Sequence, residues 1–344
     1  MPKKYLVTGG AGFIGSNYVS RLIQKGEDVT IFDNLSRSGS RMNLAWLKSF
    51  GKDSFQLIEE DIRNYDALQK AMQDIDVIVH LAGQVAVTNS VVNPREDFEI
   101  NALGTFNVLE AARKSPKNPI LLYSSTNKVY GGMESVQVKE NDSNYSYQDF
   151  YYGISEQFPL DFHSPYGCSK GAGDQYVRDY YRIYGLPSVV LRQSCIYGTR
   201  QFGVEDQGWI AWFIIALLSK KQITIYGNGK QVRDVLFIDD LMDAYDLCVE
   251  NIDKTAGQVY NIGGGVENKI SIWKEFAPIV EDLMQEKISV NWGDWRPGDQ
   301  KIYISDIRKA TQDLGWSPKI TPQVGILKLF EWVKENINII KQQI

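Results

Sequence analysis

A tyrosine and a lysine lie four residues apart in the segment Ser164-Pro165-Tyr166-Gly167-Cys168-Ser169-Lys170. On a helix this spacing puts both side chains on one face. An ammonium group beside a phenol favours the phenolate and lowers the pKa of the tyrosine, and the phenolate can then remove a proton from a hydroxyl group. The pattern is also common by chance on solvated helix faces. It therefore predicts acid–base chemistry only together with further signals.

A second signal is the segment Thr8-Gly9-Gly10-Ala11-Gly12-Phe13-Ile14-Gly15, which joins a β-prone run to a helical pattern. Glycines at this spacing allow a tight turn, close approach to a pyrophosphate and close packing of helix on strand. The helix start adds free N–H groups that bind phosphate. The next predicted strand ends in Asp33, whose carboxylate would bind the adenosine ribose and repel a 2′-phosphate. The sequence thus predicts NAD rather than NADP, with hydride transfer coupled to proton removal by Tyr166.

The third signal is Ser124-Ser125-Thr126, at the end of a predicted core strand. A hydroxyl at this position would reach the reacting oxygen and share its proton with Tyr166. Serine and threonine hydroxyls also commonly cap strand ends without any role in chemistry. Both interpretations stay open on the residues alone.

Strands and helices alternate through the first half of the chain, which predicts an α/β fold with a Rossmann-type, doubly wound parallel sheet. In such sheets ligands bind beyond the carboxyl ends of the strands, where this sequence places Asp33-Asn34, Asp61-Ile62, Ala82-Gly83-Gln84 and Ser124-Ser125-Thr126. The predicted strands are residues 5–8, 29–33, 55–59, 77–81, 120–124 and 188–192, and the predicted helices include 42–50, 65–73, 97–114 and 166–184.

The alternation weakens after about residue 193, although a helix is predicted near residues 209–213 and a strand at 223–226. A further helix near residues 239–245 is expected to return to the first domain. We predict an NAD-binding Rossmann domain at residues 1–192 plus about 230–262. A smaller, interleaved C-terminal substrate domain is predicted at residues 193–229 and 263–344.

The composition of the 344 residues excludes several other functions. A net charge of -5 argues against nucleic-acid binding, and no apolar run approaches membrane-spanning length. We expect no signal peptide before the first strand, and therefore a cytoplasmic protein. Three scattered cysteines indicate neither disulfides nor a zinc site, and only two histidines make a metal site improbable. His80 is expected to be structural, and Cys168 to pack rather than react.

With Asn101-x-x-Gly104-Thr105 and Arg296-Pro297-Gly298-Asp299, these motifs resemble the extended short-chain dehydrogenase/reductase family of nucleotide-sugar epimerases and dehydratases, over nearly the whole chain. The resemblance implies that Thr126, Tyr166 and Lys170 are catalytic, that NAD stays bound and is regenerated in each cycle, and that helices 97–114 and 166–184 form a homodimer. It implies an NAD site lined by Gly9, Gly12, Phe13, Ile14, Gly15, Asp33, Asn34, Ser36, Arg37, Asp61, Ile62, Leu81, Ala82, Gly83, Gln84, Asn101, Ser124, Tyr166 and Lys170.

The residues after Thr126 distinguish branches of this family. Dehydratases have Asp-Glu there, whereas this chain has Asn127-Lys128, so dehydration is disfavoured. Residues 33–37, 124–131, 161–171, 206–209 and 226–235 resemble the branch that inverts carbon 2 of CDP-linked sugars, which implies a CDP- or GDP-linked hexose as substrate. A UDP-sugar 4-epimerase is the nearest alternative. A regulator that has lost catalysis is a third, although the intact Thr126, Tyr166 and Lys170 count against it.

Two arginines are candidates for the substrate diphosphate, because guanidinium groups match phosphate oxygens. Arg233 and Arg296 are predicted to lie in loops, although a surface arginine is by default only solvated. Trp209 is predicted either near the nucleotide or in the core. The other predicted substrate contacts, which the resemblance implies, are Gln84, Ser125, Thr126, Asn127, Gln193, Arg200 and Gln201.

Overall fold

The computed structural model describes residues 2–51, 53–205, 207–296 and 299–342. Its strands are β1 (Lys4–Thr8), β2 (Asp28–Phe32), β3 (Gln56–Ile58), β4 (Val77–His80), β5 (Ile120–Thr126), β6 (Val138–Glu140), β7 (Tyr145–Tyr147), β8 (Ser188–Gln193), β9 (Cys195–Tyr197), β10 (Thr224–Tyr226), β11 (Val232–Phe237), β12 (Val259–Ile262), β13 (Lys269–Ser271), β14 (Asn291–Gly293) and β15 (Ile302–Tyr303).

The α-helices are α1 (Phe13–Gln24), α2 (Ser40–Leu47), α3 (Tyr65–Ala71), α4 (Val87–Val92), α5 (Pro94–Phe98), α6 (Gly104–Arg113), α7 (Ser164–Tyr184), α8 (Trp209–Leu218), α9 (Ile238–Glu250), α10 (Ile252–Thr255), α11 (Phe276–Met284), α12 (Arg308–Leu314) and α13 (Pro322–Ile340). A π-helical turn over Glu99–Leu103 joins α5 to α6, and 3-10 turns cover Lys48–Phe50 and Asn127–Tyr130. Among the residues that the structure describes, no helix is long and apolar enough to cross a membrane.

A seven-stranded parallel sheet in the order β12-β8-β5-β4-β1-β2-β3 forms the centre of the fold. Strand β1 pairs with both β2 and β4, so that Tyr5 is opposite Val29 on one side and Val77 on the other. The strands are short and apolar because helices cover the sheet, and Leu6, Ile78 and Leu121 belong to one buried cluster. The predicted α/β class and Rossmann-type sheet are confirmed. Strand β12, at the sheet edge, was not predicted.

The chain divides into two compact units that alternate along the sequence. The first unit consists of Met1–Val129, Phe162–Arg192 and Met242–Tyr260, and the second of Tyr130–Asp161, Gln193–Leu241 and Asn261–Ile344. These boundaries differ from the predicted ones, because residues 130–161 and 230–241 belong to the second unit.

Contacts within the second unit explain this difference. In the β6–β7 hairpin, Tyr145 accepts a 2.8 Å hydrogen bond from Asn228, and the Tyr147 hydroxyl donates to the carbonyl oxygen of Ile302. Strand β11 pairs with β9, β13 and β15 instead of joining the seven-stranded sheet. Residues far apart in sequence therefore hold both segments in the second unit, and their local pattern does not reveal those partners.

Candidate active site

The glycine loop lies between β1 and α1, as predicted. A Cβ atom on Gly15 would overlap the carbonyl oxygen of Gly9 and approach the Cα atom of Gly10 to 2.7 Å, so only glycine allows this packing. The helix begins after Gly12, and no side chain caps its first N–H groups. These free donors and the absence of loop side chains fit a pyrophosphate group.

Asp33 follows β2 and is buried beside this loop. One carboxylate oxygen accepts the backbone N–H of Ala11 at 2.9 Å, and the other accepts that of Leu35 at 2.8 Å. Burial raises the pKa of Asp33, and these two hydrogen bonds oppose the rise. Each oxygen can accept further bonds, which suits two ribose hydroxyls. The loop and Asp33 together therefore fit the dinucleotide predicted from the sequence.

The other predicted NAD contacts lie around the carboxyl ends of the first-unit strands. Asp61 is hydrogen-bonded to Arg63 and Asn34, and these bonds, mainly that from the Arg63 side chain, lower the pKa of Asp61 to about 2. Ser36 donates to Asn34, and burial lowers the pKa of Arg37. Their contacts with a cofactor stay predictions, as do those of Phe13, Ile14, Ile62, Leu81, Ala82 and Gly83.

The structure brings the three predicted catalytic residues together in the first unit. Thr126 ends β5, whereas Tyr166 and Lys170 lie one turn apart on α7, and all three side chains are buried. Helix α7 fits tightly against β5 at Gly173, where a Cβ atom would overlap the hydroxyl of Tyr123. That hydroxyl donates to the carbonyl oxygen of Lys170 at 3.2 Å, which fixes the helix on the strand.

Burial is the largest influence on the pKa values of Tyr166 and Lys170. The Lys170 ammonium donates to the carbonyl oxygen of Ser124 at 2.6 Å and lies 4.4 Å from the ring centre of Tyr123. Burial lowers the pKa of Lys170 to about 8, against the opposing charges of Asp174 and Asp97. Burial also raises the pKa of Tyr166, and its hydrogen bond with Thr126 opposes that rise. Burial therefore outweighs this hydrogen bond in its effect on the Tyr166 pKa, and the lowering expected from Lys170 together with an oxidised nicotinamide stays a prediction.

Sequence analysis missed a buried ion pair close to the predicted catalytic residues. Asp174 and Arg192 form two hydrogen bonds of 2.9 Å, and Ser125 donates to Asp174 at 2.8 Å. Asp174 lies one helical turn beyond Lys170, so a carboxylate at this spacing was the available signal. The pair links α7, β8 and the strand end that carries Thr126.

A second missed group surrounds the carboxylate of Asp97 on α5, which contacts Gln84, Asn101 and Ser169. Gln84 donates both to Asp97 and to the carbonyl oxygen of Ala86, so its side-chain amide is directed into the first unit. The predicted contacts of Gln84 with NAD and substrate stay predictions. Asn101, in the π-helical turn, binds the backbone N–H and carbonyl groups of Gln84.

His80 has the structural role that the sequence predicts. It is hydrogen-bonded to Thr8 at 2.7 Å and to Thr105 at 3.0 Å, and burial lowers its pKa to about 3. The imidazole is therefore neutral in the folded protein. Cys168 differs from expectation, because its position on α7 leaves it exposed, with its sulfur 3.7 Å from the carbonyl oxygen of Phe162.

The second unit contains both predicted phosphate-binding arginines. Arg233 lies within β11 rather than in the expected loop, is buried, and donates to Asp299 at 2.9 Å. The Arg296 guanidinium covers the ring of Tyr226 at 3.9 Å and approaches Glu205 to 3.7 Å. Each arginine is thus next to a carboxylate. The neighbouring motif residues Pro297 and Gly298, and Asp206 from the segment 206–209, lie outside the described residues.

The remaining predicted substrate residues are spread through the second unit, except Ser125 and Asn127, which are buried at the end of β5. Trp209 begins α8 and packs edge-on against Phe276 and Phe213, and its contact with the nucleotide stays a prediction. Gln201 is buried, and Arg200 lies 5.6 Å from the ring centre of Trp332. Gln193 ends β8 and is buried.

A Rossmann-like sheet with a glycine loop and a buried threonine, tyrosine and lysine defines an enzyme of the short-chain dehydrogenase/reductase type. The family profile described as GDP-mannose 4,6 dehydratase matches residues 6–329, and the chain belongs to that family. The resemblance predicted from the sequence is thereby confirmed.

Individual relatives refine this picture. The chain is 44% identical over 336 residues to the CDP-paratose 2-epimerase of Salmonella typhi, with 96% of this chain and 98% of the relative covered. It is 34% identical over 333 residues to a putative UDP-glucose 4-epimerase of Methanocaldococcus jannaschii, with 96% and 98% covered. The crystal structure of a UDP-glucuronic acid 4-epimerase from Bacillus cereus, in complex with UDP-glucuronic acid and NAD, matches with a TM-score of 0.82 and 30% identity, covering 96% of this chain and 99% of that one.

Proposed function

We propose that this chain is a nucleotide-sugar 2-epimerase that retains NAD and acts on a CDP-linked sugar of the paratose type. The observation that carries the proposal is the buried group of Thr126, Tyr166 and Lys170. Directly after Thr126, the chain has Asn127 and Lys128 instead of two carboxylates. This group supports reversible oxidation of a sugar hydroxyl. Inversion at carbon 2 is supported by the 44% identity to the Salmonella typhi enzyme.

The chain's own residues move the proton of the reacting hydroxyl. Tyr166 removes it as the carbon is oxidised to the 2-keto sugar, and Thr126 shares the proton through its hydrogen bond to the phenol. Lys170 supplies positive charge near the phenolate. When the 2-keto sugar has presented its opposite face, Tyr166 returns the proton. NAD, bound by the glycine loop and Asp33, supplies the acceptor and donor of the hydride.

Dehydration needs an acid to protonate a leaving hydroxyl and a base to remove a neighbouring proton. In this chain, Asn127 is a buried amide and Lys128 carries an ammonium group. Neither side chain performs carboxylate chemistry. The 2-keto sugar is therefore expected to be reduced again without elimination.

Arg233 and Arg296 are proposed to bind the diphosphate of the substrate, because guanidinium groups match phosphate oxygens in charge and geometry. In this structure Asp299 and Glu205 are their carboxylate neighbours. Substrate phosphates would compete for the same guanidinium groups. Gln193, Arg200, Gln201 and Trp209 are proposed to contact the rest of the nucleotide sugar.

We also propose a homodimer formed through the helices at 94–113 and α7. Phe98, Phe106, Tyr176 and Ile183 are exposed apolar residues on these helices, and Phe106 contacts Tyr176 with ring centres 5.9 Å apart. Burial of such side chains is a common driving force of association. Sedimentation of the protein and of a Phe106→Glu variant tests this, and a monomeric wild-type protein would overturn it. A cytoplasmic location is proposed because the sequence has only three cysteines, which lie far apart and form no Cys-x-x-Cys pair.

The experiment that tests the function is incubation with separate CDP-, GDP- and UDP-linked hexoses, followed by NMR of the products. The proposal expects inversion at carbon 2 with a CDP- or GDP-linked sugar. The similarity to UDP-sugar 4-epimerases favours one second candidate, and inversion only at carbon 4 would establish it instead.

A Tyr166→Phe variant tests the acid–base role of Tyr166. Loss of the phenol hydroxyl removes the acid–base group, and turnover should fall about a hundredfold or more. A variant with unchanged activity would show that Tyr166 is not the acid–base residue.

A further inference from the structure

The carboxylate of Asp97 is buried on α5, with 1% of the residue exposed. Gln84 donates to one oxygen at 2.9 Å and Asn101 to the same oxygen at 3.0 Å, while Ser169 donates to the other oxygen at 2.6 Å. All three donors are neutral. They solvate the carboxylate but do not neutralise it, and a buried charge is costly unless an opposite charge lies nearby.

A cation adjoins this network in sequence, because Lys170 directly follows Ser169 on α7. Its ammonium is buried, and its hydrogen-bond acceptor, the Ser124 carbonyl, is also neutral. Asp174 already forms two hydrogen bonds with Arg192. The titratable groups that face Lys170 are Tyr166 and Asp174 on α7, Tyr123 on β5, His80 on β4 and Asp97 on α5.

We infer that Asp97 is a positioning residue for the Tyr166–Lys170 pair: its charge keeps Lys170 in the ammonium form, and its bond to Ser169 holds the active face of α7. The inference rests on the acid–base role proposed above for Tyr166 and Lys170. The same carboxylate anchors Gln84 and Asn101, so three elements of the first unit meet at one buried charge.

The direction of the Lys170 pKa agrees with this geometry. Burial lowers the pKa to about 8, whereas Asp174 and Asp97 raise it. Removal of the Asp97 charge should therefore lower the pKa further, and more Lys170 would be neutral at a given pH. Asp97 also raises the pKa of Tyr166, so its removal should move both limbs of a pH–activity profile to lower pH.

The decisive experiment is a titration of Lys170 by NMR in protein labelled with ¹³C at the lysine ε carbons. The Lys170 signal is assigned by its absence from the spectrum of Lys170→Arg. Asp97→Asn keeps the shape of the side chain and removes its charge, and the Lys170 midpoint should fall by about one pH unit. The matched control is Glu96→Gln, which removes an exposed carboxylate from the adjacent position and should leave the midpoint unchanged. An unchanged midpoint in a folded Asp97→Asn protein would overturn the inference.

Ser169→Ala tests the orienting bond separately from the charge, and it keeps the role of the bond testable if Asp97→Asn does not fold. The variant retains the Asp97 charge, so the Lys170 midpoint should stay where it is while kcat falls roughly tenfold. An unchanged kcat would show that the bond between Ser169 and Asp97 does not orient Tyr166 and Lys170 for the reaction. The titration requires no turnover, so it reports on Asp97 even if the chain fails to epimerise any nucleotide sugar. Failure of the inference and failure of the proposed function therefore give different results.

Discussion

The side-chain ammonium of Lys170 donates a 2.6 Å hydrogen bond to the carbonyl oxygen of Ser124, at the carboxyl end of β5. This bond joins the helix that carries Tyr166 to the strand that carries Thr126. A hydrogen bond with a charged donor is stronger than one between neutral groups. The three groups proposed to be catalytic are consequently held in place before substrate binds, which is the condition for efficient proton transfer.

The pH dependence of turnover should reveal the state of Lys170. Since the pKa of Lys170 is about 8, its ammonium form is lost as the pH rises through that value. We expect kcat/KM to decline above about pH 8, and a profile measured from pH 6 to 10 checks this. Lys170→Met should lower the activity at neutral pH by a factor of about a hundred or more. A wild-type profile that stays flat to pH 10 would contradict the assigned role.

The glycine loop gives a prediction about cofactor retention. In Gly15→Ala, the added Cβ overlaps the carbonyl oxygen of Gly9, so the loop must shift and should no longer hold NAD. Denaturation of the purified protein and chromatography of the released nucleotide measure the bound NAD. Gly26→Ala is the matched control, because Gly26 has a positive φ but no neighbour within 4 Å. It should lose about 1 kcal/mol of stability and keep its NAD, whereas equal NAD content in both variants would contradict the prediction.

The parts of the site that could be predicted from the sequence are those encoded within one or two turns of chain. The glycine loop, Asp33, and the four-residue spacing of Tyr166 and Lys170 are of this kind. The sequence also predicts that Thr126 lies at the end of a core strand, and it is the last residue of β5. The carboxyl ends of parallel strands meet at one edge of the sheet, so this position could be predicted from the strand pattern.

Contacts between distant segments could not be predicted in the same way. Asp97 and Ser169 are 72 residues apart, and the sequence around each of them does not predict their contact. The pKa of Tyr166 is raised mainly by burial. Burial depends on the packing of the whole unit, which the spacing of Tyr166 and Lys170 does not reveal. Arg233 was expected in a loop because the turn residues Gly227-Asn228-Gly229 lie shortly before it, but its pairing with Tyr303 and Ile270 makes it part of a strand.

Removal of one partner of the buried ion pair of Asp174 and Arg192 should destabilise the fold more than replacement of both partners by apolar residues. Arg192→Met leaves a buried, unpaired carboxylate, and the free energy of unfolding should fall by about 3–5 kcal/mol. Replacement of both residues, Asp174→Leu with Arg192→Met, removes both charges and should recover much of that loss. Urea denaturation of the two variants measures the difference. A double variant that is less stable than Arg192→Met would contradict this prediction. It would show that Asp174 and Arg192 stabilise the fold by more than neutralising each other's charge.

His80 should make stability depend on pH. Its pKa is about 3 in the folded protein and near 6.5 in an unfolded chain, so the unfolded state binds one more proton between these values. The free energy of unfolding should therefore fall as the pH drops from about 6.5, by up to about 1.4 kcal/mol per pH unit from this group. His80→Gln should lack that component. Parallel stability curves for the two proteins between pH 7 and 4 would show that His80 is not the cause.

In the proposed reaction, the chain oxidises carbon 2 of a nucleotide sugar and then returns the same hydrogen to that carbon. The most direct measurement follows the isotope when the substrate carries deuterium at carbon 2 and the solvent is ordinary water. We expect a C2-inverted product that keeps its deuterium at carbon 2, with slower turnover than the unlabelled sugar. Loss of the deuterium to water, or inversion at carbon 4 without a rate effect of the carbon-2 label, would contradict it.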